Sequence, residues 1–195
     1  RSVKQNLKSL NIIRIGTSGT IQPNIPVDSF IASELAIGFD NLLPFYDSKD
    51  INEVDFSNAV MEQTDWNSEK ANPYVIKSDE SLLKLFCKDN AISKGITATN
   101  VGFYGPQGRQ LRIPLSDSLL NDKLTQFNFN GQKITNLEME TSGIYGLSRL
   151  LGHKSISLNA ILANRATKTF SKSPNETVDN LIQLALNILT ENGKN

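Results

Sequence analysis

The sequence predicts an α/β protein built as one domain around a central β-sheet. Its 195 residues suit one large domain better than two. Hydrophobic residues make up 38% and charged residues 21%, so the chain can build a core and disorder is not expected. Segments with strand-like and helix-like patterns alternate along the chain, which is typical of α/β folds.

Five segments are predicted to be strands because they are β-branched, alternating or continuously apolar. The first covers residues 12–16 and ends in glycine, so a tight loop is expected over residues 17–19. The other predicted strands are residues 29–38, 96–104, 133–137 and 155–163. The strand at 96–104 is expected to run into a loop at residues 105–108.

Helices are predicted by caps and by apolar faces. Ser78 is a plausible N-cap for a helix from Asp79 to about residue 88, and residues 142–151 form a second candidate. Ser173-Pro174-Asn175-Glu176 is a capping box that opens an amphipathic helix, with Gly193 as its expected C-terminal cap. A partial helical pattern (Val3, Leu7, Leu10) precedes the first strand, and residues 40–72, which include the only tryptophan, are predicted to be irregular.

Composition narrows the function classes. The chain has 20 basic residues (Lys and Arg) and 20 acidic residues (Asp and Glu). This balance of charge favours neither nucleic acid nor a membrane surface as the partner. The expected partner is a small molecule or another protein. Cys87 is the only cysteine and is expected in the core, which fits a reducing, cytoplasmic location. The only histidine, His153, has no ligand spacing around it, so no metal and no catalytic role are assigned to it.

Three short stretches could carry chemistry, and each has an ordinary structural explanation. Residues 14–19, RIGTSG, could bring glycine amides and a guanidinium to an anion, or form a plain strand-to-turn junction. Residues 102–109, GFYGPQGR, could present Gln107 and Arg109 to a planar ring with Phe103 beside it, or form a surface loop. Residues 138–140, EME, could bind sugar hydroxyls, or favour a helix start.

Together these stretches resemble the nucleoside phosphorylases, most closely their uridine phosphorylase branch, over almost the entire chain. The resemblance implies a three-layer fold, with a central mixed β-sheet flanked by helices. It implies phosphate binding by Arg14, Gly16 and Thr17. Glu138, Met139 and Glu140 would bind ribose. The base would contact Phe103, Gln107 and Arg109.

In the mechanism that this resemblance implies, Gln107 and Arg109 serve catalysis by stabilising the leaving uracil. Phosphate is a co-substrate and no cofactor is expected. The Asn164-Arg165 pair also resembles the uridine branch and stands where purine-acting relatives carry a Ser-Asp-like pair. The expected reaction is phosphorolysis of uridine to uracil and ribose 1-phosphate, in a homodimer or higher homo-oligomer.

One departure from the family pattern accompanies the resemblance. Family members begin upstream with a Gly-Asp-Pro-x-Arg segment that also grips phosphate, and this segment is not in the sequence. Residues 1–195 are therefore expected to be a single domain equivalent to the C-terminal two-thirds of such an enzyme, lacking the N-terminal strands. Two alternatives stay open: a purine or broad-specificity nucleoside phosphorylase, and a non-catalytic protein that binds nucleosides or oligomerises.

Overall fold

Seven β-strands form one mixed sheet in the computed structural model, which describes residues 7–192. In chain order they are β1 Asn11–Thr20, β2 Phe30–Gly38, β3 Tyr74–Lys77, β4 Ser93–Thr99, β5 Ile134–Glu138, β6 Lys154–Asn164 and β7 Thr169–Phe170. Their spatial order is β3-β2-β4-β5-β1-β6-β7, and β2 also pairs with β6. This additional pairing closes five strands into a ring, with β3 and β7 outside it.

Five α-helices flank the sheet in the part of the chain that the structure describes, so the predicted fold class is confirmed. They are α1 Val54–Thr64, α2 Glu80–Phe86, α3 Leu120–Gln126, α4 Thr141–Leu150 and α5 Pro174–Asn192. Helix α4 packs on β2 and β6, α5 and α2 pack on β6, and α1 and α3 pack near β3 and β5. No helix within residues 7–192 is both long enough and apolar enough to cross a membrane.

The apolar core lies between the sheet and these helices. One cluster joins Ile37, Val60 and Phe127, and a second joins Leu158 with Leu181 of α5. Burying each such side chain contributes about 1.5–3 kcal/mol. These apolar faces hold the helices against the sheet.

Several predicted boundaries were wrong. Strand β1 continues through residues 17–19 to Thr20, because these residues pair with β6 and need no turn. Strand β4 ends at Thr99 rather than 104, where the Asn100 N–H donates to the carbonyl of Glu138 at 2.8 Å. Residues 40–72 are not irregular throughout, since they contain α1, whose Phe56 and Val60 are buried.

The helix caps also differ from prediction in two places. Asp79, not Ser78, caps α2, because its carboxylate accepts from the Leu82 N–H at 3.0 Å. Helix α5 begins at Pro174 as predicted. At the N-terminus, residues 7–10 are irregular, whereas Val3 and the predicted cap Gly193 lie outside the described residues. Strands β3 and β7 and helix α3 were not predicted.

The topology brings three strand segments to one place. Strands β4 and β5 are parallel, and their last residues, Thr99 and Glu138, are paired in register. Strand β1 pairs antiparallel with β5 through Gly19 and Thr20. Parallel pairing with β6 sets Arg14 of β1 opposite Ser157. The carboxyl ends of β4 and β5 therefore open beside the middle of β1.

Candidate active site

A cleft of about 900 Å³ lies at this junction. It brings together every residue that the sequence singled out for binding or catalysis. These are Arg14, Gly16, Thr17, Phe103, Gln107, Arg109, Glu138, Met139 and Glu140. They come from β1, from the loop after β4 and from the end of β5, so the cleft joins segments more than 100 residues apart in the chain. Their roles toward a ligand stay predictions.

Arg14 crosses the floor of the cleft. Its guanidinium lies over Gly16, where an added Cβ would come within 2.5 Å of the guanidinium carbon and of Nη1. Two residues apart on a strand share one face, so Gly16 supplies the space that the Arg14 side chain occupies. On the side facing β6, Arg14 Nη1 donates to Ser157 Oγ and to Asn159 Oδ1, each at 3.2 Å.

Glu138 is a buried carboxylate with hydrogen bonds on both oxygens. Oε1 accepts from Thr99 Oγ1 at 2.7 Å, and Oε2 accepts from the N–H groups of Glu140 at 2.9 Å and Thr141 at 3.0 Å. Arg14 Nη2 lies 3.2 Å from Oε2. Negative charge at a helix N-terminus is favourable, and these bonds start α4 at Thr141. Glu138 therefore lines the cleft as a buried carboxylate whose two oxygens are both engaged by protein donors.

Glu140 differs from Glu138 in exposure. Its side chain is 55% exposed, whereas that of Glu138 is 2% exposed. Glu140 accepts a hydrogen bond from Arg14 Nη2. Met139, between the two, is 39% exposed and lines the same cleft. Of the two carboxylates, Glu140 is therefore the one that a ligand can reach.

The other side of the cleft is the loop after β4. Gln107 is buried in a 3-10 turn, Gly105–Gln107, and Gly108 follows with φ of +72°. Arg109 Nη1 donates to Gln107 Oε1 at 2.8 Å and also to the carbonyl of Phe103. The Arg109 guanidinium carbon lies 3.7 Å from the centroid of the Phe103 ring, a cation–π contact. The three predicted base-binding residues thus form one packed unit.

Arg165 holds this unit from the end of β6. Its Nη1 donates to the Gln107 carbonyl at 2.7 Å, and its Nη2 donates to Gln107 Oε1 at 2.6 Å. Burial, followed by the positive charge of Arg109, lowers the pKa of Arg165 to about 10. Burial also lowers the pKa of Arg109. Two guanidinium groups on one amide oxygen make this end of the cleft a site for an electron-rich ligand.

Some lining residues were missed or left without a role by sequence reasoning. The Asn164-Arg165 pair stands out in the sequence, but no sequence pattern connects Arg165 with Gln107. Lys168 and Phe170 also line the cleft and had no local motif to mark them. Asn121 of α3 donates to the Gln107 carbonyl at 3.0 Å, from a segment that was not predicted to be a helix. No spacing rule connects these positions with residue 107.

Comparison with other proteins points to one family. The sequence model of the phosphorylase superfamily matches residues 3–191. A uridine phosphorylase of Thermococcus kodakarensis is 29% identical over 182 residues, which are 92% of this chain and 57% of that protein. The crystal structure of a Trypanosoma brucei nucleoside phosphorylase that shows uridine phosphorylase activity has a TM-score of 0.81 at 26% identity. That match covers 93% of this chain and 63% of the other.

A more distant structure agrees in fold. Isoform 2 of uridine phosphorylase from Schistosoma mansoni, in complex with citrate, has a TM-score of 0.66 at 20% identity. The match covers 96% of this chain and 63% of the other. The chain therefore spans between 57% and 63% of the length of the relatives described here.

Proposed function

The chain belongs to the phosphorylase superfamily, and from this premise we propose that the protein carrying it cleaves uridine with phosphate, giving uracil and ribose 1-phosphate. One observation carries the proposal. A single cleft holds Arg14 beside an accessible carboxylate, Glu140, and faces them with the Gln107 and Arg109 pair. These groups match, in order, the anion, the sugar and the base of the reaction.

Phosphate would bind over the middle of β1. Arg14 supplies positive charge, and Gly16 leaves the space in which its guanidinium lies. Thr17 is exposed in the same cleft and adds a hydroxyl. Arg14 Nη2 donates a hydrogen bond to Glu140 Oε2 in the structure. An incoming phosphate would take over this donor, because charge-assisted hydrogen bonds to Arg are among the strongest in proteins.

Ribose would bind where Glu140 is released. A carboxylate is an acceptor only, which suits the 2′- and 3′-hydroxyls of a ribose. Met139 offers a polarisable apolar surface to the sugar ring. Glu138, whose oxygens already accept from Thr99 and two backbone N–H groups, would support the segment rather than contact the sugar.

Uracil would bind against the loop after β4. Because Arg109 and Arg165 both donate to Gln107 Oε1, the Gln107 amide is held in one orientation. Its NH₂ group and the Arg109 guanidinium would then donate hydrogen bonds to the polar edge of the base, and Phe103 would lie beside the ring. Purine-specific recognition by an acidic side chain is not available from Asn164 or Arg165.

The chemical step needs no covalent intermediate on the protein. A phosphate oxygen forms a bond to C1′ of the ribose as the bond from C1′ to N1 of uracil breaks. The bonding electron pair leaves on uracil, which later takes a proton from water. Charge builds on the uracil oxygens in the transition state, and one preorganised donor in such a position contributes about 3 kcal/mol.

The oligomeric state and the location are part of the proposal. We propose that the protein forms a homodimer or a higher homo-oligomer, works in the cytoplasm and uses phosphate with no further cofactor. The single half-buried cysteine, Cys87, fits a reducing compartment. Sedimentation analysis of the full-length protein would test the assembly.

The deciding experiment compares the full-length protein with its Arg109→Ala variant. We expect wild-type protein to release uracil from uridine only when phosphate is present. The variant should lose roughly 100-fold in kcat, the size found when one transition-state donor is removed. Near-wild-type turnover by the variant would show that the leaving-group assignment is wrong. Inosine, assayed in parallel, distinguishes the purine alternative.

A further inference from the structure

We propose that Asn159, in the middle of β6, is a positioning residue that holds Arg14 in its phosphate-binding orientation. The proposal rests on the proposed function, since it assigns Arg14 to phosphate. Asn159 is fully buried, and its Oδ1 accepts from Arg14 Nη1 at 3.2 Å. Sequence reasoning gave it no role.

The contact follows from the strand register. In the parallel pair of β1 and β6, Arg14 stands opposite Ser157 and Gly16 stands opposite Asn159. The Arg14 side chain lies over Gly16, so its guanidinium lies beside Asn159, the residue paired with Gly16. Because residue 16 has no side chain, the Arg14 guanidinium has room to reach Asn159.

Arg14 has hydrogen-bond partners on two sides, and the partners on one side are buried whereas Glu140 on the other side is exposed. Its Nη1 donates to Ser157 and Asn159, which are both buried in β6. Its Nη2 faces Glu138 and the exposed Glu140. Phosphate must approach from the exposed side, where it can replace Glu140. The contacts at Nη1 can stay in place during that exchange, so they keep the guanidinium plane fixed when its other partner changes.

Asn159 is itself locked by hydrogen bonds. Its Nδ2 donates to Ser33 Oγ at 2.9 Å and to the carbonyl of Ile31 at 3.3 Å, both on β2. Ser33 Oγ lies 2.6 Å from Thr97 Oγ1 on β4. A buried amide with these partners has one orientation, because turning it would leave buried polar atoms unpaired. The orientation presents Oδ1, an acceptor, to Arg14.

The test is Asn159→Leu in the full-length protein, which removes the acceptor and keeps a side chain with the same branching and the same number of heavy atoms. The KM for phosphate should rise roughly tenfold or more, because a hydrogen bond to a charged group is lost. The KM for uridine should change less than about twofold, since Asn159 contributes nothing to the base side of the cleft. Asn159→Ala provides the same comparison if the leucine does not fit.

Thr97→Val is the matched control. It removes a buried hydroxyl from the same network, but Thr97 contacts Ser33 and Asn136 rather than Arg14. A general loss of stability would affect both positions, whereas the proposal expects a changed phosphate KM only at Asn159. If the phosphate KM of the Asn159 variants equals that of Thr97→Val, the positioning role is wrong.

A second measurement separates this inference from the proposed function. The rise in melting temperature caused by inorganic phosphate without nucleoside reports phosphate binding separately from the reaction. If wild-type protein binds phosphate but does not cleave uridine, the proposed function fails and Asn159 is still tested by this shift. We expect Asn159→Leu to need about tenfold more phosphate for the same shift. An unchanged phosphate dependence, or no phosphate binding by wild type, would overturn the inference.

Discussion

The two sides of the cleft are built in different ways. The anion side, defined by Arg14, Gly16, Glu138 and Glu140, stands on β1 and β5 and is tied into the sheet by buried partners. The base side, defined by Phe103, Gln107, Arg109 and Arg165, stands largely on a loop. Its Gln107 is buried, and its carbonyl accepts hydrogen bonds from Asn121 of α3 and from Arg165 at the end of β6. The geometry of a site on strands is set by the pairing of the sheet. The geometry of a site on a loop depends on side-chain hydrogen bonds that hold the loop in place.

The largest effect should come from breaking the anion side at Glu138. Glu138→Leu would leave Arg14 and the first N–H groups of α4 without their buried acceptor. Breaking a buried ion pair costs about 3–5 kcal/mol, so we expect a loss of this size in the free energy of unfolding. Denaturant unfolding measures it.

The control for that prediction is Glu140→Gln, on the same segment. Its exposed pair with Arg14 should contribute less than about 1 kcal/mol to stability. We nevertheless expect a large loss of uridine phosphorolysis, because Glu140 is assigned to the ribose hydroxyls. If Glu140→Gln destabilises the fold as much as Glu138→Leu, the division between a supporting and a binding carboxylate is wrong.

The clamp of the base side should have the next largest effect. Arg165→Met removes two hydrogen bonds from Gln107 and relieves the cost of burying a guanidinium. We expect kcat/KM for uridine to fall roughly 10- to 100-fold, from a loss of about 1.5–3 kcal/mol in charged hydrogen bonding. The KM for phosphate should stay close to wild type. An equal loss on both substrates would show that the two sides are not independent.

A smaller effect is expected from the turn that carries Gln107. Gly108 has φ of +72°, and an added Cβ would come within 2.2 Å of Asn121 Nδ2. Gly108→Ala should therefore cost about 1–2 kcal/mol in stability and raise the KM for uridine severalfold. Gly105→Ala in the same loop is the control, since its Cβ would meet only Leu115 at 3.7 Å. Equal effects at both glycines would contradict this explanation.

The smallest expected effect is a pH dependence of stability. Burial and the positive charge of Arg109 lower the pKa of Arg165 to about 10 in the folded protein. Above this pH the unfolded chain holds a proton that the folded chain has lost. The free energy of unfolding therefore increases as the pH rises. Thermal unfolding should show wild type gaining stability relative to Arg165→Met as the pH passes about 10. The exposed Arg112→Met serves as control, and a pH-independent difference would argue against the lowered pKa.

Much of the fold was predictable because local patterns carry it. Helix α5 begins at Pro174, as its capping pattern predicts, and β2 covers nearly the predicted residues. Helix α1 had a signal, with Phe56 and Val60 four residues apart on one face, but its polar neighbours hid it. The glycines Gly16 and Gly19 suggest a turn within β1, whereas Gly16 leaves the space in which the Arg14 guanidinium lies.

The sequence by itself determined the chemistry of the cleft. Its three motifs supply the guanidinium, the carboxylates and the amide, and their family order predicts that they meet. Only the tertiary structure decided which groups hold them. Asn159, Arg165 and Asn121 act on partners up to 145 residues away. The physical reason is that local spacing sets which residues share a face of one element, while hydrogen bonds between elements depend on strand register and packing.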